Sequence, residues 1–190
     1  MNLRQLIVRP LIAAVLLAAP VLAADNYKID SEHATVIFKV DHLGLGNAYG
    51  RFNDPTGTVV LDKEDPSKSS FTFEVKTENV DTHNEKRDAH LKSPDFFDAK
   101  QFPTITFKSK SVKAQGDKFE VTGDLTLHGV TKEIVVPITK TGEKDTGRMG
   151  YRTGWEANVS LKRSDYGMKG MIGPIGDEVH LAISFEAVKS

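Results

Sequence analysis

The sequence predicts an all-β domain: an extended eight-stranded antiparallel β-barrel with a short helical lid around residues 84–92. Three observations point there. Apolar and polar residues alternate with period two through most of the chain, the pattern of strands with one buried face. The links between these stretches are mostly short and turn-rich, which suits hairpins and not the crossovers of a parallel sheet. The segment from His83 to Phe107 breaks the alternation and reads as a polar helix, an aromatic-rich turn and a return to strand.

A sheet with one apolar face must bury it against a second sheet or by closing on itself. Eight strands closed on themselves leave an interior that side chains fill or that holds one small ligand. Strands near ten residues span about 30 Å, which favours a deep and narrow lumen. A two-sheet sandwich with a solid core is the alternative that composition leaves open.

The chain is read in order. Arg4 and Arg9, an apolar run from Leu11 to Ala19, and Val21-Leu22-Ala23 have the layout of a secretory leader over residues 1–23. Its apolar run is well short of the about 20 residues that a membrane span needs. The domain is then 24–190, exported and not membrane-spanning once the leader is removed. Ala34, Val36, Phe38 and Val40 form the first inward set. A strand from Ala48 to Asp62 bends around Asp54-Pro55-Thr56-Gly57. Phe71, Phe73, Val75 and Thr77 alternate cleanly with Thr72, Glu74, Lys76 and Glu78. After the lid come Ile105 and Phe107, then Phe119 to Leu127, then Ile134, Val136 and Ile138. Gly142 to Gly150 reads as a charged hairpin loop. Trp155, Ala157, Val159 and Leu161 face in, and Val179, Leu181, Ile183 and Phe185 close the set.

The lid is predicted from composition. Asn84 to Lys92 holds no Gly or Pro and is rich in helix formers. Ser93-Pro94 ends it, because a residue before proline avoids the α region. His83, Arg87 and His90, at i, i+4 and i+7, are expected to share one basic face, with Ala89, Phe96 and Phe97 supplying apolar contact.

Several functions lose their chemistry at this level. The chain has 25 basic and 26 acidic residues, and setting aside Arg4 and Arg9 makes it more acidic, so no basic face recommends a nucleic-acid partner. It has no cysteine, which removes thiolate catalysis and sulfur-ligated metal. The six histidines are scattered without an HExxH spacing, so no metal site is nominated. There is no GxSxG elbow, and the Gly167, Gly170, Gly173 and Gly176 series has no following helix to cradle a phosphate. No catalytic residue is nominated, and no cofactor is expected.

What remains is a lumen. Its candidate ligand contacts from the first half of the chain are Phe38, Val40, Phe52, Phe71, Phe73 and Val75. The second half supplies Ile105, Phe107, Leu125, Trp155, Val159, Leu181, Ile183 and Phe185. Phe96, Phe97, Arg87 and His90 join from the lid. About half are expected to touch a ligand, because one end of a small barrel must be plugged.

Several ordered motifs carry a resemblance: Tyr27-Lys28-Ile29-Asp30, HATVIFKVDHLGLGNAYGRF from His33, VDTHNEKRDAHLKSPDFFDAKQFPTITFKS from Val80, VTGDLTLHGVTKEI from Val121 and LKRSDYGM from Leu161. Across nearly all of residues 24–190 the sequence resembles the YceI-like family of exported, lipocalin-like proteins. The resemblance implies a periplasmic barrel that holds a polyisoprenoid or similar lipid, with roles in isoprenoid-quinone metabolism, transport, storage or stress responses, and with no established catalysis. The residues alone do not choose isoprenoid over fatty acid. A solid-core stress protein acting by surface contacts and an enzyme acting on a prenyl lipid stay open, as does a homodimer.

Overall fold

Period-two alternation becomes ten strand segments that occupy eight positions around one closed antiparallel sheet. The structure, a computed structural model, describes residues 24–190; the leader expected over 1–23 lies outside the described residues. The strands are β1 (Asp25–His42), β2 (Gly46–Phe52), β3 (Thr56–Leu61), β4 (Ser70–Lys76), β5 (Val80–Asp81), β6 (Thr104–Gln115), β7 (Lys118–Leu127), β8 (Val130–Asp145), β9 (Tyr151–Lys162) and β10 (Ile175–Lys189). Among the described residues one α-helix, α1 (Glu85–Leu91), lies between β5 and β6.

Two positions are each shared by two segments. β2 pairs with the C-terminal half of β1 and β3 with its N-terminal end, so both run along one neighbour, broken at Asn53-Asp54-Pro55 where the sequence predicts a bend. β4 and β5 follow the same course, against β3 and β2 respectively. Pairing of β1 with β10 closes the ring, leaving the main sheet without a long free edge.

Five of the strands, β1, β6, β8, β9 and β10, exceed the expected ten residues. β1 has 18 and β8 has 16. Register shifts at Ile29/Ala34, Ser109/Ser111 and Lys140/Gly142 let such lengths curve without losing their inward phase. The hairpin expected from Gly142 to Gly150 is correspondingly shorter. β8 continues through Glu143 to Asp145, because Glu143 is held by four side chains.

Those contacts lie at the plugged end of the barrel. Tyr27, Lys63, Lys140 and Tyr151 all donate to the Glu143 carboxylate, at distances from 2.5 to 3.2 Å. Burial pushes this carboxyl up, but the bonds from Lys63, Tyr151 and Lys140 outweigh it and hold it at about 2, against an ordinary 4.5. A folded-state value below the unfolded one stabilises the protein above the unfolded value, and that stability is lost as pH falls through the folded value. Glu143→Gln is therefore expected to cost about 2 kcal/mol at neutral pH. In denaturant titrations across pH, the gap to the wild type should close between pH 4.5 and about 2.

Beneath this cluster an aromatic plug fills the barrel. Trp155 is fully buried, edge-on to Phe71 and Phe119 at 5.2 Å each, and stacked on Phe185 at 6.5 Å. Tyr27, Val59, Val121, Ile138 and Ala187 complete that core. Two smaller apolar clusters lie toward the other end, one around Phe38, Phe52 and Val75, and one around Phe96, Leu127 and Tyr166.

Candidate functional site

Between the plug and the lid the barrel encloses a cavity of about 960 Å3. That is near the top of the roughly 300–1,000 Å3 range of small-molecule pockets. Its walls are the inward-phase side chains. Phe38, Val40, Phe52, Phe71, Phe73, Val75, Ile105, Phe107, Leu125, Val159, Leu181, Ile183 and Phe185 line it, as do Phe96, Phe97, Arg87 and His90 from the lid.

Trp155 is the exception among the expected contacts. It has the inward phase but sits behind Phe71 and Phe185, and it does not line the cavity. Alternation assigns a residue to a face and says nothing of its depth along the axis. The other candidates all line the cavity, because the plug is built mainly from other residues such as Tyr27, Val59 and Phe119.

The lid forms where the sequence places it. Asn84 caps α1 by accepting a bond from the Arg87 amide at 3.0 Å. Asp88 anchors it by accepting from the Thr82 amide and hydroxyl. Beyond Leu91 the chain folds back on itself: the Phe97 amide donates to Leu91 and the Asp98 amide to Ser93. Phe96 then buries against Leu125, Leu127, Tyr166 and Met168, and Phe97 meets Phe52 edge-on at 5.4 Å.

Two details of the lid differ from expectation. His83 has a left-handed backbone (φ 57°) ahead of the Asn84 cap, so it lies outside the helix and does not line the cavity. Ala89 is exposed, and Leu91 makes the apolar contact instead. The basic face is thus reduced to Arg87 and His90. Arg87 spends two donors on Thr82, its Oγ1 and its carbonyl, both at 2.7 Å. His90 pairs with Asp95 at 2.9 Å.

Arg163 was missed, although the phase running from Trp155 through Leu161 points it inward. It is 4 % exposed and lines the cavity wall. Its guanidinium donates to the carbonyls of Met168, Gly170, Ile175 and Gly176 at 2.7–3.0 Å. Burial pushes its pKa down, partly opposed by Asp177. These bonds gather the loop between β9 and β10 and set it against the lid. Gly170 approaches so closely that a β-carbon there would stand 2.0 Å from the Asp95 carbonyl oxygen.

No reacting group stands out among these. Ser160 and His180 are 2.7 Å apart, but both lie on the outer face of the wall. Among the described residues no three His, Asp or Glu side chains converge as a metal set, and no helix is long and apolar enough to cross a membrane.

The comparisons agree with this architecture. The YceI-like domain model matches residues 27–187. The YceI protein of Escherichia coli O157:H7 is 42% identical over 168 residues, covering 87% of this chain and 88% of its own. The crystal structure of the Campylobacter jejuni YceI protein superposes with a TM-score of 0.70 at 30% identity, covering 79% of this chain and 89% of that one. A polyisoprenoid binding domain from Saccharophagus degradans shares the fold, with a TM-score of 0.67 at 14% identity over 86% of this chain and 98% of that one.

Proposed function

The chain belongs to the YceI-like family, and from that membership together with its lumen we propose that it is a periplasmic carrier of a long-chain lipid, of polyisoprenoid or isoprenoid-quinone type. The observation that carries this reading is the cavity of about 960 Å3, walled by aromatic and branched aliphatic side chains and polar chiefly at its rim. Burying an aliphatic chain gains on the order of 0.8 kcal/mol per CH2 group, before the losses of association and ligand ordering. Such contact is non-directional. It retains a ligand strongly and sorts chains poorly, so selection falls to lumen length and to the polar rim.

At that rim Arg87 keeps donors beyond the two spent on Thr82, and the His90 ring stands perpendicular to that of Phe96 at 4.9 Å. A phosphate, hydroxyl or quinone oxygen is the kind of head these groups can meet while the tail lies below.

Organic extraction of protein purified from its native host, followed by mass spectrometry, tests the reading. A prenyl lipid in near-stoichiometric amount is the expected result. Repeatedly empty protein that also takes up no prenyl lipid in vitro would sink it. In the same assay Arg87→Met is expected to shift the recovered species away from anionic heads, with about three- to tenfold weaker binding of a prenyl phosphate. Equal recovery of all head types would reduce the lid to a cap.

A further inference from the structure

Four apolar side chains stand in solvent at the lid end of the barrel. Leu43 and Leu45 sit on the β1–β2 hairpin, and Met171 and Ile172 on the loop between β9 and β10. Leu45 is 88% exposed, and the other three between 45% and 54%. Leu43 and Met171 also hold left-handed backbone, with φ of 61° and 53°. Side chains with a β-carbon adopt that conformation only against steric resistance.

The tips are held in place. The Leu43 amide donates to the Pro174 carbonyl at 2.8 Å, which ties one loop to the other. Asp41 accepts from the Gly44 amide at 2.9 Å and sets the hairpin turn. Arg163 gathers the second loop by its four carbonyl contacts. Leu45 and Met171 line the cavity as well, so the outer patch and the lumen share two side chains.

The charges around this patch are favourably sorted. Lys86 and Arg87 line the rim, and Lys169 stands exposed beside the tips. Of the nearby carboxylates, Asp41 is engaged by the Gly44 amide and Asp95 by His90. Exposed apolar tips flanked by cations match the depth profile of a phospholipid surface, acyl chains below and phosphates above.

We propose that this rim docks on a phospholipid bilayer, with Leu43, Leu45, Met171 and Ile172 among the acyl chains and Lys86, Arg87 and Lys169 at the phosphates. The lumen then opens against the membrane. A long apolar ligand passes between the two without exposing its chain to water, a step that every methylene opposes. The purpose of docking rests on the carrier reading above; the docking itself is tested separately.

The test compares the mature protein with the double variant L43S and I172S, which changes the two tips that do not line the cavity. One arm is flotation with vesicles of phosphatidylethanolamine and phosphatidylglycerol. The other is binding of a detergent-solubilised fluorescent polyisoprenol. Val135→Ser, which removes an exposed apolar residue from β8, serves as control. Wild type is expected to float with the vesicles, and the double variant to lose about tenfold in bound fraction. Probe affinity should stay within about twofold, since neither changed residue lines the cavity. Equal flotation of the variant, or an equal loss with Val135→Ser, overturns the proposal. So does a wild type that sediments as a dimer which the variant breaks, with vesicle binding unchanged. A wild type that floats but binds no probe defeats only the carrier reading. One that binds probe but does not float defeats only the docking.

Discussion

Val159→Trp is expected to displace the ligand while leaving the protein folded. Val159 sits on β9 opposite Leu181 of β10; both line the cavity and neither is fully buried. The neighbouring inward residue, Ala157, is 5% exposed and belongs to the plug cluster. An added ring at 157 would overpack that core, a disturbance worth about 1–3 kcal/mol. At 159 the indole instead enters open lumen and takes space from the ligand. Losing contact for three or four CH2 groups removes about 3 kcal/mol, or a hundredfold in affinity. Titration with a solubilised prenyl lipid reads the loss, and denaturant unfolding should stay within about 1 kcal/mol of wild type. If affinity is unchanged at unchanged stability, the ligand does not occupy the barrel, and the carrier reading fails at its root.

Much of this site could be read from the chain because a closed sheet turns a one-dimensional alternation into an inside and an outside. Phe71, Phe73 and Val75 alternate with Thr72, Glu74 and Lys76, and every turn of that phase points to the lumen or the plug. The helix was legible for a different reason: Asn84 to Lys92 holds no Gly or Pro and is rich in helix formers, and Ser93-Pro94 stops it, both local effects. Depth was not legible. Trp155 and Val159 share a phase, yet one is plug and the other wall. The difference is made by Phe71, Phe119 and Phe185 arriving from three other strands. His83 shows a related limit. Its spacing to Arg87 fits a helix, but the left-handed backbone that precedes the cap removes it from the face. Arg163 was readable and passed over: a charge on an inward phase directly after Leu161 needs a buried polar environment to satisfy it.

That arginine carries the second large effect. Arg163 sits just past the end of β9 with its guanidinium under the loop that follows, and four carbonyls of that loop and of the start of β10 converge on it. The Phe96 ring of the lid lies 6.0 Å from its centre, so lid and loop meet over the same cation. Among the described residues no carboxylate lies within salt-bridge distance of it; the nearby Asp177 carboxylate instead binds the Ser164 amide and hydroxyl. The buried charge is satisfied by dipoles. Arg163→Met keeps the apolar stem and removes every donor, leaving the carbonyls to find water. A loss of about 2–4 kcal/mol is expected in denaturant unfolding. Lysine should recover only part of it, because three donors on one nitrogen cannot reproduce a planar fork with donors on three nitrogens. Stability alone would not separate a loop lock from general support. Amide exchange does: in the methionine variant, protection should fall first at residues 168–176 and at the Leu43 amide that donates to Pro174, with β6 and β7 unchanged. The same loosening should shorten ligand residence while leaving uptake rates near wild type, since the loop borders the rim and the plug is untouched. If exchange rises evenly through the barrel, or if the loop stays protected without its arginine, then Arg163 does not hold the rim in shape.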